Sequence, residues 1–281
     1  MTIDKTKNDE LDIALWGCAV RTHLWLNFYK TLAETNFASF KIFCCGHVKP
    51  DFDLPENLIY IYSKMLPAPC AEIARRHAMD SNAEYIMYFQ DDMLTSPGLL
   101  DAVICEIKSS KNELVTGPAF KPTLSHQHCR AKLDEKGYQG STHISPDRGL
   151  GIVFPTMRRS TALKLGEGID KRFKGISFIE ELLLRLHGRD IKFSVCYEAE
   201  IAEDMDENTN TALSKYLDKK RVGSRGIRAS RRWDSHDTLL LESMWKWSHH
   251  PHPVLDPSLE FYRKIPPQFY SDEELIFSME E

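Results

Sequence analysis

Short apolar runs separated by amphipathic stretches set the pattern of the first 90 residues. Residues 12–18 (DIALWGC), 40–45 (FKIFCC), 58–62 (LIYIY) and 85–89 (YIMYF) are nearly free of charge and rich in aromatic and β-branched side chains. This predicts buried strands. Between them, 22–34 places apolar residues at 24, 25, 28 and 32, which is helical spacing. A second helix is expected over 69–82, started by Pro69 and carrying Ile73 and His77 with Arg75 and Arg76 between them. Strand, helix, strand, loop, strand, helix, strand is the alternation of an α/β chain with a doubly wound, mainly parallel sheet flanked by helices. Further strands are expected at 113–117, 150–154 and 191–196, and helices at 156–165 and from 179, where Ile179, Leu182, Leu183 and Leu186 share one face. Residues 1–11 read as a disordered lead, 12–244 as one domain with halves at 12–117 and 118–244, and 245–281 as a helical or irregular C-terminal arm.

The most informative stretch is 84–100, EYIMYFQDDMLTSPGLL. A strand there ends in Gln90, Asp91 and Asp92, and Ser96 and Pro97 open the next helix. Two adjacent carboxylates at the carboxyl end of a buried strand are costly unless a cation or ligand neutralises them. In open α/β sheets that edge is where ligands bind. A hard divalent cation, Mn2+ or Mg2+, held by one or two carboxylates and completed by substrate phosphates, matches the donor type. The plainer alternative is that the pair caps the following helix.

Composition narrows the classes. The 281 residues are 42% hydrophobic and 27% charged, enough for a full core. A net charge of −5 argues against nucleic acid as a partner. The seven cysteines form no C-x-x-C pair, which points to a reducing compartment. No apolar leader or membrane-length run occurs, so a cytoplasmic protein without a transmembrane segment is expected. Neither a Walker A motif nor G-x-G-x-x-G is present, which argues against a P-loop ATPase or a dinucleotide enzyme.

Ala74-Arg75, then Ser81-Asn82-Ala83-Glu84-Tyr85-Ile86, then QDDM and Ser96-Pro97 resemble the core of nucleotide-diphospho-sugar glycosyltransferases of the GT-A fold, family 2-like. Arg76 stands where that family has Asn, Ala78 where it often has Gly, and Gln90 where the first Asp of Asp-x-Asp falls. The resemblance implies a nucleoside diphosphate sugar donor and a carbohydrate or other hydroxyl acceptor. Residues 12–117 would then be the nucleotide-sugar half and 118–244 the acceptor half. It implies donor contacts from the loops after the first two strands (Ala19, Arg21, Gly46), from Arg75 at the diphosphate, and from Gln90 and Asp91, with Asp92 as a metal ligand.

In the acceptor half, 168–188 (GIDKRFKGISFIEELLLRLHG) resembles the family's carboxylate helix, with Leu182-x-x-Arg185-Leu186 matching. The resemblance makes Glu180 and Glu181 joint candidates for the general base; the alternative is a surface ion pair between Glu181 and Arg185. Glu203 falls where the family often has a metal-binding His, and a carboxylate also suits Mn2+ or Mg2+; the alternative is a solvated acidic loop. His126 and His128 beside Cys129 lack a fourth ligand at zinc spacing. Residues 215–233 carry eight basic side chains, read as a solvated face or a lid over the diphosphate. Two other functions compete: a nucleotidyltransferase, which would need a Gly-rich loop after the first strand, and a catalytically inactive nucleotide-sugar-binding module.

Overall fold

The computed structural model describes residues 11–120, 154–203, 236–244 and 266–279, apart from positions 35, 165, 167, 176, 188, 190, 238 and 242. The lead at 1–10, most of the 118–148 loop with His126, His128 and Cys129, and the basic stretch at 215–233 lie outside them.

The chain runs β1 (Ile13–Cys18), α1 (Thr22–Ala33), β2 (Phe40–Gly46), β3 (Leu58–Tyr62), α2 (Pro67–Asp80), β4 (Tyr85–Tyr88), β5 (Met93–Thr95), α3 (Leu99–Ser109), β6 (Leu114–Phe120), β7 (Thr156–Arg158), α4 (Arg159–Lys164), α5 (Phe178–His187), β8 (Lys192–Glu203) and β9 (Ser278–Met279). The described strands form one mixed sheet in the order β5-β8-β6-β7-β4-β1-β2-β3-β9. Its core, β4-β1-β2-β3, is parallel, as the alternation of elements predicts. Antiparallel pairings add β7 beside β4, β5 beside β8 and β9 beside β3.

Alternation along β1 explains why both faces of the sheet are covered. Ala14 and Trp16 enter one core with α2 and α5, while Ile13 and Leu15 enter the other with α1 and α3. The four apolar positions predicted for α1, Leu24, Trp25, Phe28 and Leu32, are its buried face. Helix α2 lies against the sheet through Ala68, Ala71, Ala74 and Ala78, whose small side chains permit close approach.

Several boundaries differ from the sequence reading. Helix α2 starts at Pro67, two residues early, since proline suits the first helical position. Helix α3 starts at Leu99 after Gly98, which adopts φ +72°. Ser96 cannot begin that helix because it extends the β5–β8 ladder: its N–H donates to Glu200 O and its Oγ accepts Glu200 N–H. Residues 156–158, expected as helix, form β7, because Thr156 and Met157 are buried between β4 and β6. The run 198–203, expected as a loop or metal-bearing segment, continues β8 after a bulge at Pro118/Ala119 of β6.

Residues 266–279 form a strap across α2 and the edge of β3. Beyond the β3–β9 pairing, Ser63 Oγ donates to Ile276 O at 2.6 Å and Arg76 donates to Tyr270 O at 2.6 Å. Among the described residues, no helix is long and apolar enough to cross a membrane.

Candidate functional site

The parallel strands β1–β4 deliver their carboxyl ends to one edge, and the segments 19–21 and 90–92 meet there. Phe89 N–H donates to Trp16 O and Ala19 N–H to Cys45 O, which fixes how far each strand runs. A Cβ on Gly46 would collide with the carbonyl of Ala19, so position 46 is glycine because two backbones touch. That gives Gly46 a packing role whether or not it also borders a ligand.

Asp91 is the centre of this edge. It is 1% exposed, and its Oδ2 accepts the backbone N–H groups of Val20 and Arg21, both at 2.6 Å, and Trp25 Nε1–H at 3.1 Å. Its Oδ1 takes the Arg21 guanidinium at 2.5 Å. Four donors on two oxygens commit the carboxylate to holding the loop between β1 and α1, a supporting role that the sequence reading of Asp91 as a donor contact did not include. The same Arg21 nitrogen lies 3.2 Å from Asp92 Oδ2. Burial opposes the Arg21 charge, but Asp91 and Asp92 more than offset it and raise its pKa. Asp92 keeps part of its side chain exposed. Gln90 is half-buried near the Tyr88 phenol, whose pKa is pushed up by burial. Cys18 is no nucleophile here, because burial and then Asp91 push its thiol pKa up and keep it protonated.

Asp92 fits one position of a hard-cation site: it is an oxygen donor, partly exposed, at a strand end. Asp91 does not fit, since it is enclosed, its Oδ2 is taken by three N–H groups and its Oδ1 by the Arg21 guanidinium. Backbone pairing puts Glu203 across from Met93, one residue past Asp92. Among the described residues, no group of three or more His, Cys, Asp and Glu could hold a metal. A cation at Asp92 would therefore take most of its ligands from a substrate.

The carboxylate helix α5 is seated on the same edge. Phe178, its first residue, stacks on Trp16 with ring centroids 6.3 Å apart and meets Tyr88 edge-on at 5.8 Å. Trp16 and Tyr88 lie two residues before Cys18 and Gln90, so the first turn of α5, with Glu180, is brought to the strand ends. The two candidate bases differ. Glu180 is half-buried. Glu181 is fully enclosed, and its Oε2 accepts Arg185 Nε at 3.0 Å and the second guanidinium nitrogen at 2.9 Å. The expected surface ion pair is thus a buried one, because the Gly168 carbonyl and the Phe269 ring of the strap cover Arg185.

Arg75, expected at a diphosphate, is bonded to Glu72. Its Nε and one terminal nitrogen donate to Glu72 at 2.8 and 3.0 Å. Glu72, 1% exposed, also accepts Arg76 Nε at 2.9 Å and Ile169 N–H at 3.0 Å. This carboxylate ties α2 to the segment leading into α5. Sequence reasoning missed it, although Glu72 followed by Arg75 and Arg76 at i+3 and i+4 is a readable signal. It also missed Asp237, 1% exposed, which accepts Lys174 N–H at 3.1 Å and Gly175 N–H at 2.8 Å and pins that segment from the other side. An Asp among polar residues carries no signal of such depth.

Burial alone would raise the Glu72 pKa, but the Arg75 and Arg76 hydrogen bonds, the Arg75 charge and the Ile169 N–H lower it. A carboxylate with a lowered folded pKa stabilises the fold above its unfolded value of about 4.3, and the gain is lost as pH falls through the folded value. The stability difference between wild type and Glu72→Gln is expected to be full at pH 6 and to shrink below pH 4.5 in urea titrations. A difference independent of pH would show that the charge is not what Glu72 contributes.

No protein-family model matches the sequence, and no curated protein does. Solved structures do match. The S. aureus TarS structure aligns with a TM-score of 0.50 at 10% identity, over 89% of this chain and 46% of that one. The chain has a GT-A-like fold. TarS 1–349 in complex with UDP aligns at TM-score 0.50 and 10% identity, over 84% of this chain and 72% of that one. The same fragment with UDP-GlcNAc aligns at TM-score 0.51 and 10% identity, over 84% and 73%. This chain spans about half the length of the longer TarS chain. At this identity the likeness establishes the GT-A-like sheet and its helices.

Proposed function

We propose that this chain is a glycosyltransferase that moves a sugar from a nucleoside diphosphate donor to a hydroxyl acceptor, a carbohydrate or another alcohol, with help from Mn2+ or Mg2+. The observation that carries the reading is one juxtaposition: the Arg21–Asp91–Asp92 cluster at the ends of β1 and β4, with the first turn of α5 seated beside it on Trp16 and Tyr88. The UDP and UDP-GlcNAc complexes of a protein with the same fold support a nucleotide-sugar donor. The cysteine usage supports a cytoplasmic setting.

Asp92, joined by Glu203, would hold the metal, which when bound supplies Lewis-acid stabilisation of the leaving diphosphate. The remaining work belongs to the chain. Asp91 holds the loop that carries Ala19 and Arg21 against the nucleoside end. Arg21 presents a positive charge to the phosphates. Glu180, half-buried on the first turn of α5, takes the acceptor proton as general base. The nucleotidyltransferase alternative lacks support because Ala19-Val20-Arg21 has no glycine to wrap a triphosphate.

The test is calorimetry with UDP, with and without Mn2+, on wild type and Asp92→Asn. Wild type is expected to bind UDP more tightly with Mn2+, and the variant to lose that increment while remaining folded. Unchanged Mn2+ dependence in the variant would remove Asp92 from the metal, and a lower melting temperature with normal binding would make it a helix or loop support.

A further inference from the structure

We propose that Arg21 is a counterion gate: without ligand its guanidinium neutralises Asp92, and it transfers to the donor's phosphates when a metal–nucleotide complex arrives. The inference deepens the glycosyltransferase reading and rests on it. One nitrogen of Arg21 spans both carboxylates, 2.5 Å from Asp91 Oδ1 and 3.2 Å from Asp92 Oδ2. The two contacts are unequal. Asp91 is enclosed and its other oxygen is occupied by three N–H groups, so the contact to Asp91 is the anchor. The contact to Asp92 is longer, and both partners keep some exposure, 18% for Arg21 and 15% for Asp92. That contact can be exchanged without disturbing the anchor.

The chemistry of the exposed end favours exchange. Arg21 Nε is enclosed and out of a ligand's reach, so the exchange falls to Nη1, the nitrogen that already touches Asp92. Phosphate oxygens are the acceptors a guanidinium pairs with best. Charge supplies the gate. A divalent cation at Asp92 alone would sit beside a guanidinium bonded to the same carboxylate, and the two like charges repel in a partly desolvated site. Once a diphosphate is present it offers oxygens to both cations, and the repulsion is replaced by a shared anion. Metal is therefore admitted with the nucleotide and held weakly before it.

The experiment measures Mn2+ binding by electron paramagnetic resonance, alone and with saturating UDP, and UDP binding by calorimetry in Mn2+, for wild type, Arg21→Gln and Arg21→Lys. In wild type, UDP is expected to tighten Mn2+ binding at least tenfold. Removing the charge in Arg21→Gln should tighten Mn2+ alone by roughly tenfold and weaken UDP in Mn2+ by a similar factor. Arg21→Lys, which keeps the charge, should bind Mn2+ alone as weakly as wild type. Asp91 retains its bonds from Val20, residue 21 N–H and Trp25 in all three proteins. Should Arg21→Gln fail to fold, the wild-type comparison decides, because equal Mn2+ affinity with and without UDP overturns the gate. So does an Arg21→Gln variant in which Mn2+ alone binds no tighter, while normal UDP binding leaves the glycosyltransferase reading standing. A wild type that binds neither UDP nor any other nucleoside diphosphate in any metal overturns both.

Discussion

Asp91→Asn is expected to lower the unfolding free energy by about 3–5 kcal/mol, the range for breaking a buried ion pair by removing one partner. The geometry explains the size. Four donors converge on two carboxylate oxygens, three of them on Oδ2. Asparagine offers one oxygen and one NH2 group, so in either orientation an N–H meets donors, either those of Val20, Arg21 and Trp25 or the guanidinium. Each buried donor left unsatisfied adds about 1–3 kcal/mol. Trp25→Phe, which removes one of the four donors, should cost about 1 kcal/mol more than its lost packing. Urea titrations with an unchanged slope would measure both. An Asp91→Asn protein within 1 kcal/mol of wild type would mean that the loop between β1 and α1 is held by something else.

The second large effect is kinetic. Glu180→Gln is expected to reduce sugar transfer by roughly 10²–10⁴-fold while UDP and Mn2+ affinities stay within twofold of wild type, because a general base acts in the transition state and not in donor binding. Glu181→Gln should behave in the opposite way. Its carboxylate is at zero exposure and bonded to the buried Arg185, so its loss lowers stability and shifts the melting temperature before it touches turnover. Initial rates with a verified acceptor, paired with melting curves, separate the two. Normal rates in Glu180→Gln would send the search for the base to the acidic run after Cys196.

The parallel core was legible because each of its strands is a short, nearly uncharged run, and both faces of such a sheet must be buried. The face of α1 was legible for the same reason: the positions at 24, 25, 28 and 32 are the buried ones. Strands β5 and β9 were not. They are three and two residues long, and their pairing to β8 and β3 depends on distant parts of the chain. At the site, the sequence marked Asp91 and Asp92 as a costly pair, and the resemblance gave them different ligands, but neither showed Asp91 as the support of the loop between β1 and α1. What divides them is Trp25 and the two backbone N–H groups at 20 and 21, none of which signals its partner. Glu181 and Arg185 show the same limit. At i and i+4 they read as a surface pair, and only the Gly168 loop and Phe269 bury them. The Glu72–Arg75 ion pair was not anticipated, although Glu72 lies one turn before Arg75.

The most direct measurement is hydrolysis of a panel of nucleoside diphosphate sugars by the purified wild-type protein in Mn2+ or Mg2+, read as release of the nucleoside diphosphate. The account predicts that at least one donor is turned over, that chelation of the metal stops it and that Asp92→Asn abolishes it. A folded protein that releases nucleoside diphosphate from none of the panel, and binds none by calorimetry, would contradict it.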